Sequence, residues 1–467
     1  MLRYPPQAGQ KTLDKPGLRR YRVMSFRAKA LPSCGVLQEA QENGMRRQAA
    51  NDHQPETRPR TFGKTDRQDI FRSVQDRVRS EPVTGRKYSR NRLLDERNNQ
   101  MSEEAYLCVP PVVILPGSEY ADDSRKFQGI AGIERAESGR LWATWYSGGI
   151  REDRHNYILL VTSGDGGSEW SDIQLVIDPD GPGPVRASDP CLWHDPDGRL
   201  WLFWTQGYEE HTDERGGVWA ITTRQSGADK PEWSEPVRLC DGVMLNKPTV
   251  LSSGEWLLPV ARWWREGSAR VYSSSDQGFT WHFLGQSTVP VEEDRAPDEP
   301  MIVERDDGTL WMLVRTNYGI GESISPDRGR TWSPVSPSRI EHPAARFFVR
   351  RLQSGNLLLV KHGPINERIG RSHLTAFLSE DDGHSWMGGL LLDEREEVSY
   401  PDGVQAPDGT IYLIYDRSRK RAKEILMAKF TEGDVVHGKC ISDAAALRLL
   451  VNKAKGENPE PPPSPRR

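Results

Sequence analysis

Residues 307–332 read DGTLWMLVRTNYGIGESISPDRGRTW, and this stretch contains the two sequence elements that decide the fold. The first element is the Asp-Gly pair at 307–308, a turn signal that is followed by a near-continuous apolar run. The second is Ser-x-Asp-x-Gly-x-x-Trp at 325–332, in which Ser, Asp and Gly favour a tight turn through side-chain hydrogen bonds and a positive φ. The stretch therefore predicts short, buried strands that are separated by tight turns.

Both elements recur along the chain. The turn-and-strand element occurs six times, with its glycine at Gly139, Gly198, Gly254, Gly308, Gly355 and Gly409. These glycines are separated by 59, 56, 54, 47 and 54 residues. The Ser-x-Asp-x-Gly-x-x-Trp element begins at Ser163, Ser274, Ser325 and Ser379, and a degenerate copy extends from Thr223 to Trp233. A repeat of roughly 55 residues indicates one supersecondary unit that is stacked several times.

Six such units, each with about four short strands, predict an all-β protein with the architecture of a six-bladed β-propeller over residues 105–450. A single blade cannot bury both of its faces, so the stacking of blades into a ring supplies the core. We expect the Trp of each turn to pack between neighbouring blades, and the Ser, Asp and Gly to be structural. An early strand at 112–115 is expected to close the ring against the last blade.

The first hundred residues differ in composition from the rest of the 467-residue chain. They contain 22 Lys and Arg against 11 Asp and Glu, a net charge of +11, whereas residues 101–467 contain 41 against 56, a net charge of −15. A basic arm for nucleic acid or membrane is one interpretation of this segment. Because its arginines are scattered among acids, we instead predict a disordered extension over 1–100. The Pro-rich residues 454–467 are predicted to be a disordered tail.

Composition also argues against several classes of protein. No run of about 18 apolar residues is present, so no transmembrane helix is expected. The basic N-terminal residues are not followed by the apolar stretch of a secretory signal peptide. The five Cys are widely spaced and form neither a disulfide framework nor a C-x-x-C metal pattern. These features predict a cytoplasmic protein without nucleic-acid or membrane partners.

The Ser-x-Asp-x-Gly-x-x-Trp turn resembles the Asp-box, or BNR repeat, of the bacterial-type sialidase (neuraminidase) superfamily, and the resemblance covers about residues 110–435. That family is a six-bladed propeller with its site at one end of the central axis. The resemblance implies a retaining glycoside hydrolase with a tyrosine nucleophile. Because the substrate of that family has a carboxylate beside its anomeric carbon, a neutral tyrosine avoids the repulsion that a carboxylate nucleophile would meet. Arginines bind the substrate carboxylate through bidentate, charge-assisted hydrogen bonds.

The resemblance assigns roles to five residues of this chain. Tyr400, before the last turn-and-strand unit, corresponds to the nucleophile, and Glu299 to the carboxylate that activates it. Asp153, in the loop after the first apolar run, corresponds to the general acid and base. Arg315 and Arg371 correspond to two of the arginines that bind the substrate carboxylate.

Six further polar residues are predicted to contact the substrate, because they fall in loops or at strand ends on the same side of the repeat. These residues are His155, Asn156, Asp189, Lys247, His362 and His373. No pair of histidines has the spacing of a metal site, so neither a metal nor a cofactor is predicted.

One departure from the family concerns the first carboxylate-binding arginine. In the family this arginine lies in a Phe/Tyr-Arg-Ile-Pro motif at the start of the first blade, whereas this chain reads Phe-Gln-Gly-Ile-Ala at 127–131. Either Gln128 or Gly129 takes the arginine position, depending on the alignment. Three nearby arginines are candidates to replace it: Arg125, Arg151 and Arg154.

The sequence therefore predicts a sialidase-like, retaining glycoside hydrolase that removes a terminal acidic sugar, sialic acid or a relative, from a glycan. The missing arginine leaves a different acidic sugar or a neutral one open as substrate. Two alternatives come from other classes: a polysaccharide lyase that acts on uronic acids, and a non-catalytic propeller that binds glycans. The expected partner is a glycan, and the sequence leaves the oligomeric state open.

Overall fold

The computed structural model describes residues 104–181, 183–209, 215–262 and 266–458. In this part of the chain, 25 β-strands form six antiparallel sheets. One sheet has five strands and the other five have four, and each sheet consists of strands that are consecutive in the chain. The predicted all-β, six-bladed propeller is thereby confirmed. The predicted extension over 1–100 lies outside the described residues.

The strands of the six blades have the following bounds. The first blade contains β1 (Val112–Ile114), β2 (Gln128–Arg135), β3 (Leu141–Ser147), β4 (Tyr157–Ser163) and β5 (Leu175–Ile177). The second contains β6 (Val185–His194), β7 (Leu200–Tyr208), β8 (Gly216–Thr223) and β9 (Val237–Asp241). The third contains β10 (Thr249–Val250), β11 (Trp256–Arg262), β12 (Ser268–Ser274) and β13 (His282–Thr288).

The remaining three blades follow the same order. The fourth contains β14 (Asp298–Glu304), β15 (Leu310–Thr316), β16 (Gly319–Ser325) and β17 (Ser336–Pro337). The fifth contains β18 (Phe348–Arg351), β19 (Leu357–His362), β20 (Leu374–Ser379) and β21 (Met387–Asp393). The sixth contains β22 (Val398–Gln405), β23 (Ile411–Arg417), β24 (Glu424–Phe430) and β25 (Ala446–Lys453), with helix α1 (Glu432–His437) between the last two.

The early strand β1 does not close the ring, and that expectation is wrong. It pairs with β5 at the outer edge of the first blade. The outer edge of the sixth blade is occupied by β25. The first and sixth blades instead meet through packing and hydrogen bonds: the backbone N–H of Ile133 donates to Asp402 Oδ2 at 2.9 Å, and that of Gln128 to the Arg419 carbonyl at 3.2 Å.

The core of the ring lies between neighbouring blades, as the stacking of half-covered sheets requires. The apolar clusters combine residues of adjacent blades, and the sixth blade packs on the first in the same way; one cluster also includes Leu245 and Tyr400 beside residues of the first two blades. The four tryptophans of the turn motif are half-buried and each packs against one of these clusters: Trp170, Trp281, Trp332 and Trp386. Their predicted position between blades is thereby confirmed.

The Ser-x-Asp-x-Gly-x-x-Trp segments form the expected turns. At 325–332, the hydroxyl of Ser325 donates to Asp327 Oδ1 at 3.0 Å and accepts from the Gly329 N–H at 2.8 Å. Asp327 also accepts the backbone N–H of Thr331 at 2.8 Å. These side chains are occupied by their own turn. The four turns follow β4, β12, β16 and β20, at the end of the propeller opposite to the starts of the innermost strands.

The innermost strands of four blades, β2, β6, β14 and β22, each contain a bulge near their start. In each, one extra residue stands against the neighbouring strand. A non-glycine residue with φ between 46° and 56° lies at each bulge: Ile130, Asp189, Glu299 and Tyr400. Left-handed φ values at bulky residues cost on the order of 1–3 kcal/mol and cluster at functional sites, and bulges redirect side chains.

The C-terminal residues that the structure describes are attached to the propeller. Ala454 donates its N–H to the Lys423 carbonyl, and Lys455 donates to Asp122. The predicted disordered tail therefore begins with hydrogen-bonded residues, and 459–467 lie outside the described part. No helix within the described ranges has the length and hydropathy that a membrane-spanning helix needs.

Candidate active site

Three of the predicted site residues form one hydrogen-bonded group. Tyr400 on β22 donates its phenolic proton to Glu299 Oε1 on β14 at 2.9 Å. Arg315, near the end of β15, donates from Nη1 to the same oxygen at 2.8 Å and to the Tyr400 hydroxyl at 3.2 Å. The sixth and fourth blades supply this group, and their bulges direct both Tyr400 and Glu299 to it.

The electrostatics of this group keep Tyr400 protonated at neutral pH. Burial raises the pKa of the Tyr400 phenol, and the neighbouring Glu299 carboxylate raises it further, while Arg315 and Arg419 act in the opposite direction. Burial alone would lower the pKa of Arg315, but the interactions with Glu299 and Tyr400 are stronger than this effect. The pKa of Arg315 is therefore raised above its ordinary value. Among the described residues, Glu299 Oε2 has no hydrogen-bond partner. A neutral phenol thus lies against a carboxylate that can accept its proton.

A cavity of about 690 Å³ adjoins this group. It is lined by Phe127, Arg151, Glu152, Arg371, Glu397, Ser399, Ser418, Arg419, Lys420 and Arg421. Five of these side chains are cationic and two are carboxylates, so the lining has a net charge of +3. Such a lining favours an anionic ligand.

Arg371 lies at the wall of this cavity, in the loop between β19 and β20. Its Nη1 donates to Ser399 Oγ at 3.1 Å, and its Nη2 donates to the Ala344 carbonyl at 3.3 Å. Its guanidinium lies 5.8 Å from the centre of the Tyr400 ring. The predicted pair Arg315 and Arg371 is therefore brought together beside the phenol.

Arg419 also lies beside the phenol, although the sequence analysis did not propose it. Its guanidinium is 5.2 Å from the centre of the Tyr400 ring, and it forms an ion pair with Glu152. It follows β23 in the segment Asp-Arg-Ser-Arg-Lys-Arg at 416–421. The sequence signal for Arg419 is a basic cluster that begins directly after Asp416. Asp416 lies seven residues after Gly409, as Arg315 lies seven residues after Gly308, so the cluster falls at the same end of the ring as Arg315.

The loop between β3 and β4 contributes Glu152, and not Asp153, to the cavity with the arginines. Desolvation alone would raise the pKa of Glu152, but the charges of Arg419 and Arg186 have a larger effect in the opposite direction. The pKa of Glu152 is therefore lowered below its ordinary value. The Asp153 carboxylate accepts backbone N–H groups of its own loop, from His155 at 2.9 Å and from Ile150 at 3.4 Å. It lines a neighbouring cavity of about 780 Å³.

The two residues that follow Asp153 have different positions. His155 is exposed and lines the neighbouring cavity. Asn156 is buried, and its side-chain amide donates to the carbonyls of Arg151, Gly148 and Ser147 at 3.0–3.4 Å. Asn156 therefore organises the loop and does not reach the cavity.

Asp189 lies at the bulge of β6. Its Oδ2 accepts the Ser188 hydroxyl at 3.0 Å. The pKa of Asp189 is raised to about 6, chiefly by burial; Arg186 opposes this rise, and the nearby carboxylates of Glu152 and Glu299 add to it. The charges of the second blade therefore lie within electrostatic reach of the site.

Lys247 is not part of this cavity. Its ammonium group is buried, donates to the carbonyls of Ile133 and Leu192 at 2.6 Å each, and pairs with Glu134 and Asp402 at 3.2 Å each. It lines a different cavity of about 260 Å³ between β10, β14 and β18. Lys247 thus neutralises carboxylates where the innermost strands converge.

The two predicted histidines of the fifth blade also have other contacts. His362 is fully buried; its Nδ1 lies 3.1 Å from His342 Nε2 and its Nε2 lies 2.9 Å from the Val398 carbonyl. Burial lowers its pKa to about 4. His373 is exposed, with Nδ1 at 3.0 Å from the Ser372 hydroxyl. Neither histidine lines the cavity beside Tyr400.

The two residues that could take the position of the missing arginine, Gln128 and Gly129, lie at the start of β2. Gln128 is buried: it donates to the Lys423 carbonyl at 2.6 Å and accepts from Trp145 Nε1 at 3.0 Å. A Cβ at Gly129 would overlap the Arg419 side chain. Of the three arginines that the sequence offered as replacements, Arg125 is buried against Asp122 and Asn452, Arg154 lines the neighbouring cavity, and Arg151 lines both cavities.

Comparison with known proteins agrees with the fold. Residues 139–413, more than half of the chain, match the family model described as BNR repeat-like domain. No curated protein matches the chain. Among solved structures it resembles a Hadza microbial sialidase, with 20% identity, a TM-score of 0.54 and 66% of each chain covered. The chain therefore spans slightly less than two thirds of that structure.

Two further solved structures are similar. One is the NanB sialidase from Streptococcus pneumoniae, with 14% identity, a TM-score of 0.52 and coverage of 69% of this chain and 71% of that chain. The other is a protein of unknown function from Dyadobacter fermentans, with 17% identity, a TM-score of 0.51 and coverage of 67% and 95%. At these identities the likeness concerns the fold alone. By its repeat, its six blades and its Asp-box turns, the chain belongs to the BNR repeat-like domain family and is a sialidase-like β-propeller.

Proposed function

We propose that the protein is a retaining glycoside hydrolase of the sialidase type, which removes a terminal acidic sugar from a glycan. The single observation that carries the proposal is the buried group of Tyr400, Glu299 and Arg315, in which a phenol donates its proton to a carboxylate. A tyrosine in this arrangement is a nucleophile with its base already in hydrogen-bond contact. The cationic cavity beside it supports an acidic substrate.

In the first step, the Tyr400 oxygen attacks the anomeric carbon while its proton passes to Glu299. The bond from tyrosine to sugar forms, the bond to the leaving oxygen breaks, and an acid donates a proton to that oxygen. In the second step, water attacks the glycosyl-tyrosine and gives a proton to the conjugate base of that acid. The phenol leaves and recovers its proton from Glu299, so the sugar is released with net retention.

The arginines of the site would bind the substrate carboxylate. The guanidinium groups of Arg315 and Arg371 both lie beside the Tyr400 ring. An acidic sugar with its carboxylate on these groups would have its anomeric carbon next to the phenol. Because Tyr400 is neutral before attack, it does not repel that carboxylate.

The sequence predicts Asp153 as the proton donor, and the geometry favours its neighbour Glu152. Glu152 lines the cavity with the arginines, whereas the Asp153 carboxylate accepts backbone N–H groups. A substrate carboxylate on Arg419 would weaken the ion pair that lowers the pKa of Glu152. Glu152 would then be able to hold the proton that the leaving oxygen needs.

The test is hydrolysis of aryl glycosides of acidic sugars, sialic acid first, followed by nuclear magnetic resonance. We expect release of the sugar with its original anomeric configuration. We also expect a fluorinated glycosyl fluoride of the same sugar to leave an adduct on Tyr400, detected by mass spectrometry. An unsaturated product that absorbs in the ultraviolet would contradict the proposal in favour of a uronic-acid lyase. Binding without turnover would contradict it in favour of a glycan-binding propeller.

A further inference from the structure

We infer that Arg419, from the loop after β23 in the sixth blade, binds the substrate carboxylate together with Arg315 and Arg371. Gly129 in the first blade is the residue that makes room for it. The inference rests on the proposed function and specifies its ligand as a sugar with a carboxylate beside the reacting carbon. Arg419 of the sixth blade would thus take over the role of the arginine that is absent from the first blade.

The space at Gly129 is the first observation. A Cβ built on Gly129 would overlap Cγ and Cδ of Arg419 and lie 2.8 Å from Asp416 Oδ2. The backbone of Gly129 is not in the left-handed region that favours glycine. Glycine is therefore required at this position by the Arg419 side chain and not by the backbone conformation.

The position of the guanidinium is the second observation. Arg419 and Arg371 lie 5.2 and 5.8 Å from the centre of the same Tyr400 ring. Arg315 contacts the hydroxyl of that ring at 3.2 Å. Three cations therefore surround one nucleophile. A planar guanidinium at this distance from the phenol is suited to a carboxylate that adjoins the carbon under attack.

The ion pair with Glu152 is the third observation. The guanidinium of Arg419 already holds a carboxylate, and that carboxylate belongs to a side chain that is 47% exposed. The Arg419 side chain is 20% exposed, and both side chains line the cavity, so the pair is accessible to a ligand there. A substrate carboxylate can thus take the place of Glu152 on Arg419, which at the same time frees Glu152.

The test is calorimetric titration of the full chain with N-acetylneuraminic acid and 3-deoxy-D-manno-octulosonic acid, whose carboxylates are attached to the anomeric carbon, and with the neutral methyl ester of each. We expect Arg419→Gln to weaken binding of at least one acid about 10- to 100-fold, as loss of a charge-assisted contact predicts. Binding of the matching ester should change less than about twofold. Arg448→Gln is the matched control, because Arg448 lies on β25 in the same blade as Arg419 and forms an exposed ion pair with Glu394 outside the cavity.

A transplanted arginine provides a second measurement. We expect Gly129→Arg in the Arg419→Gly background to restore part of the affinity for the acid, because a guanidinium would then reach the site from the first blade. Gly129→Arg in the wild-type background should weaken binding, because two side chains compete for one space. Arg419→Lys keeps the positive charge but not the planar set of guanidinium donors. We therefore expect a smaller loss of affinity for the acid than with Arg419→Gln.

The outcomes separate this inference from the proposed function. If the wild-type chain binds an acid and Arg419→Gln binds it equally well, the role of Arg419 is overturned and the hydrolase proposal stands. If the wild-type chain binds none of the acids, both are overturned. If Arg419→Gln does not fold, equal binding by Arg419→Lys and no gain from the transplanted arginine would overturn the role of Arg419.

Discussion

Tyr400 donates a hydrogen bond of 2.9 Å to Glu299 across the ring, from the sixth blade to the fourth, although 101 residues separate the two in sequence. Both side chains are buried, and both residues have left-handed φ values at bulges of their strands. The contact joins a neutral acid to a base, both of them nearly inaccessible to solvent.

Removal of the phenolic oxygen should abolish turnover without unfolding the protein. For Tyr400→Phe we expect kcat/KM to fall by at least about 10³-fold, because loss of a nucleophile removes the covalent route. The matched control is Tyr415→Phe, since Tyr415 is also buried and donates to a carboxylate, Asp393, at 3.0 Å. Steady-state kinetics and thermal unfolding of both variants test the prediction; equal losses in the two would contradict it.

Removal of the base should slow the attack by Tyr400. For Glu299→Gln we expect a loss of about 10²–10⁴-fold in kcat, the usual contribution of a positioned general base. The fall should be larger in kcat than in KM, because Glu299 acts on the phenol and not on the substrate carboxylate. Single-turnover kinetics measure the formation of the glycosyl-tyrosine directly. An unchanged rate of that step would exclude Glu299 as the base.

The leaving-group dependence distinguishes Glu152 from Asp153. With a poor leaving group, such as an alkyl alcohol, we expect Glu152→Gln to lose about 10²–10⁴-fold in rate. With a 4-nitrophenyl leaving group, which departs without a proton, the loss in the bond-breaking step should be small. Asp153→Asn should not change the dependence on the leaving group. The reverse result for the two variants would assign the proton donor to Asp153, as the sequence predicts.

A buried carboxyl next to the base should make stability depend on pH. Asp298 is fully buried, and within the described part of the chain neither of its carboxylate oxygens has a hydrogen-bond partner. The pKa of Asp298 is raised to about 8, chiefly by burial and also by the neighbouring Glu299, against the opposing effect of Arg295. The folded state therefore binds this proton more tightly than the unfolded state, so the contribution of Asp298 to stability falls as pH rises from about 4 to 8.

We accordingly expect Asp298→Asn to gain stability over the wild type as pH rises, by at least about 1 kcal/mol between pH 5 and pH 9. Urea unfolding at pH 5, 7 and 9 measures the difference. The matched control is the exposed Asp307, whose pKa is lowered by hydrogen bonds from Thr309. Its stabilising effect is lost only as pH falls below about 4, so Asp307→Asn should show a constant difference from pH 5 to 9. A constant difference for Asp298→Asn as well would contradict the assignment.

The repeat made much of the site predictable. The resemblance to the sialidase family assigned roles to Tyr400, Glu299 and Arg315, and the defined distance of each from a turn glycine agrees with a place at one end of the ring. The X-Pro pairs at 189–190, 299–300 and 400–401 all stand nine residues before a turn glycine and lie near the start of the innermost strands. Lys247, seven residues before Gly254, and His362, seven residues after Gly355, were predicted at the same end of the ring, but their polar atoms are occupied by buried partners.

The sequence by itself determined the number of blades, the Asp-box turns and the end of the ring at which the polar side chains gather, because these depend on local turns and a regular period. Only the tertiary structure decided which side chains meet there. Closure of the ring brings Arg419 of the sixth blade into the space at Gly129 of the first, 290 residues away. Bulges direct Tyr400 and Glu299 to each other, and the loop after β3 offers Glu152, not Asp153, to the arginines. Such contacts arise from the packing of distant segments, which no local pattern specifies.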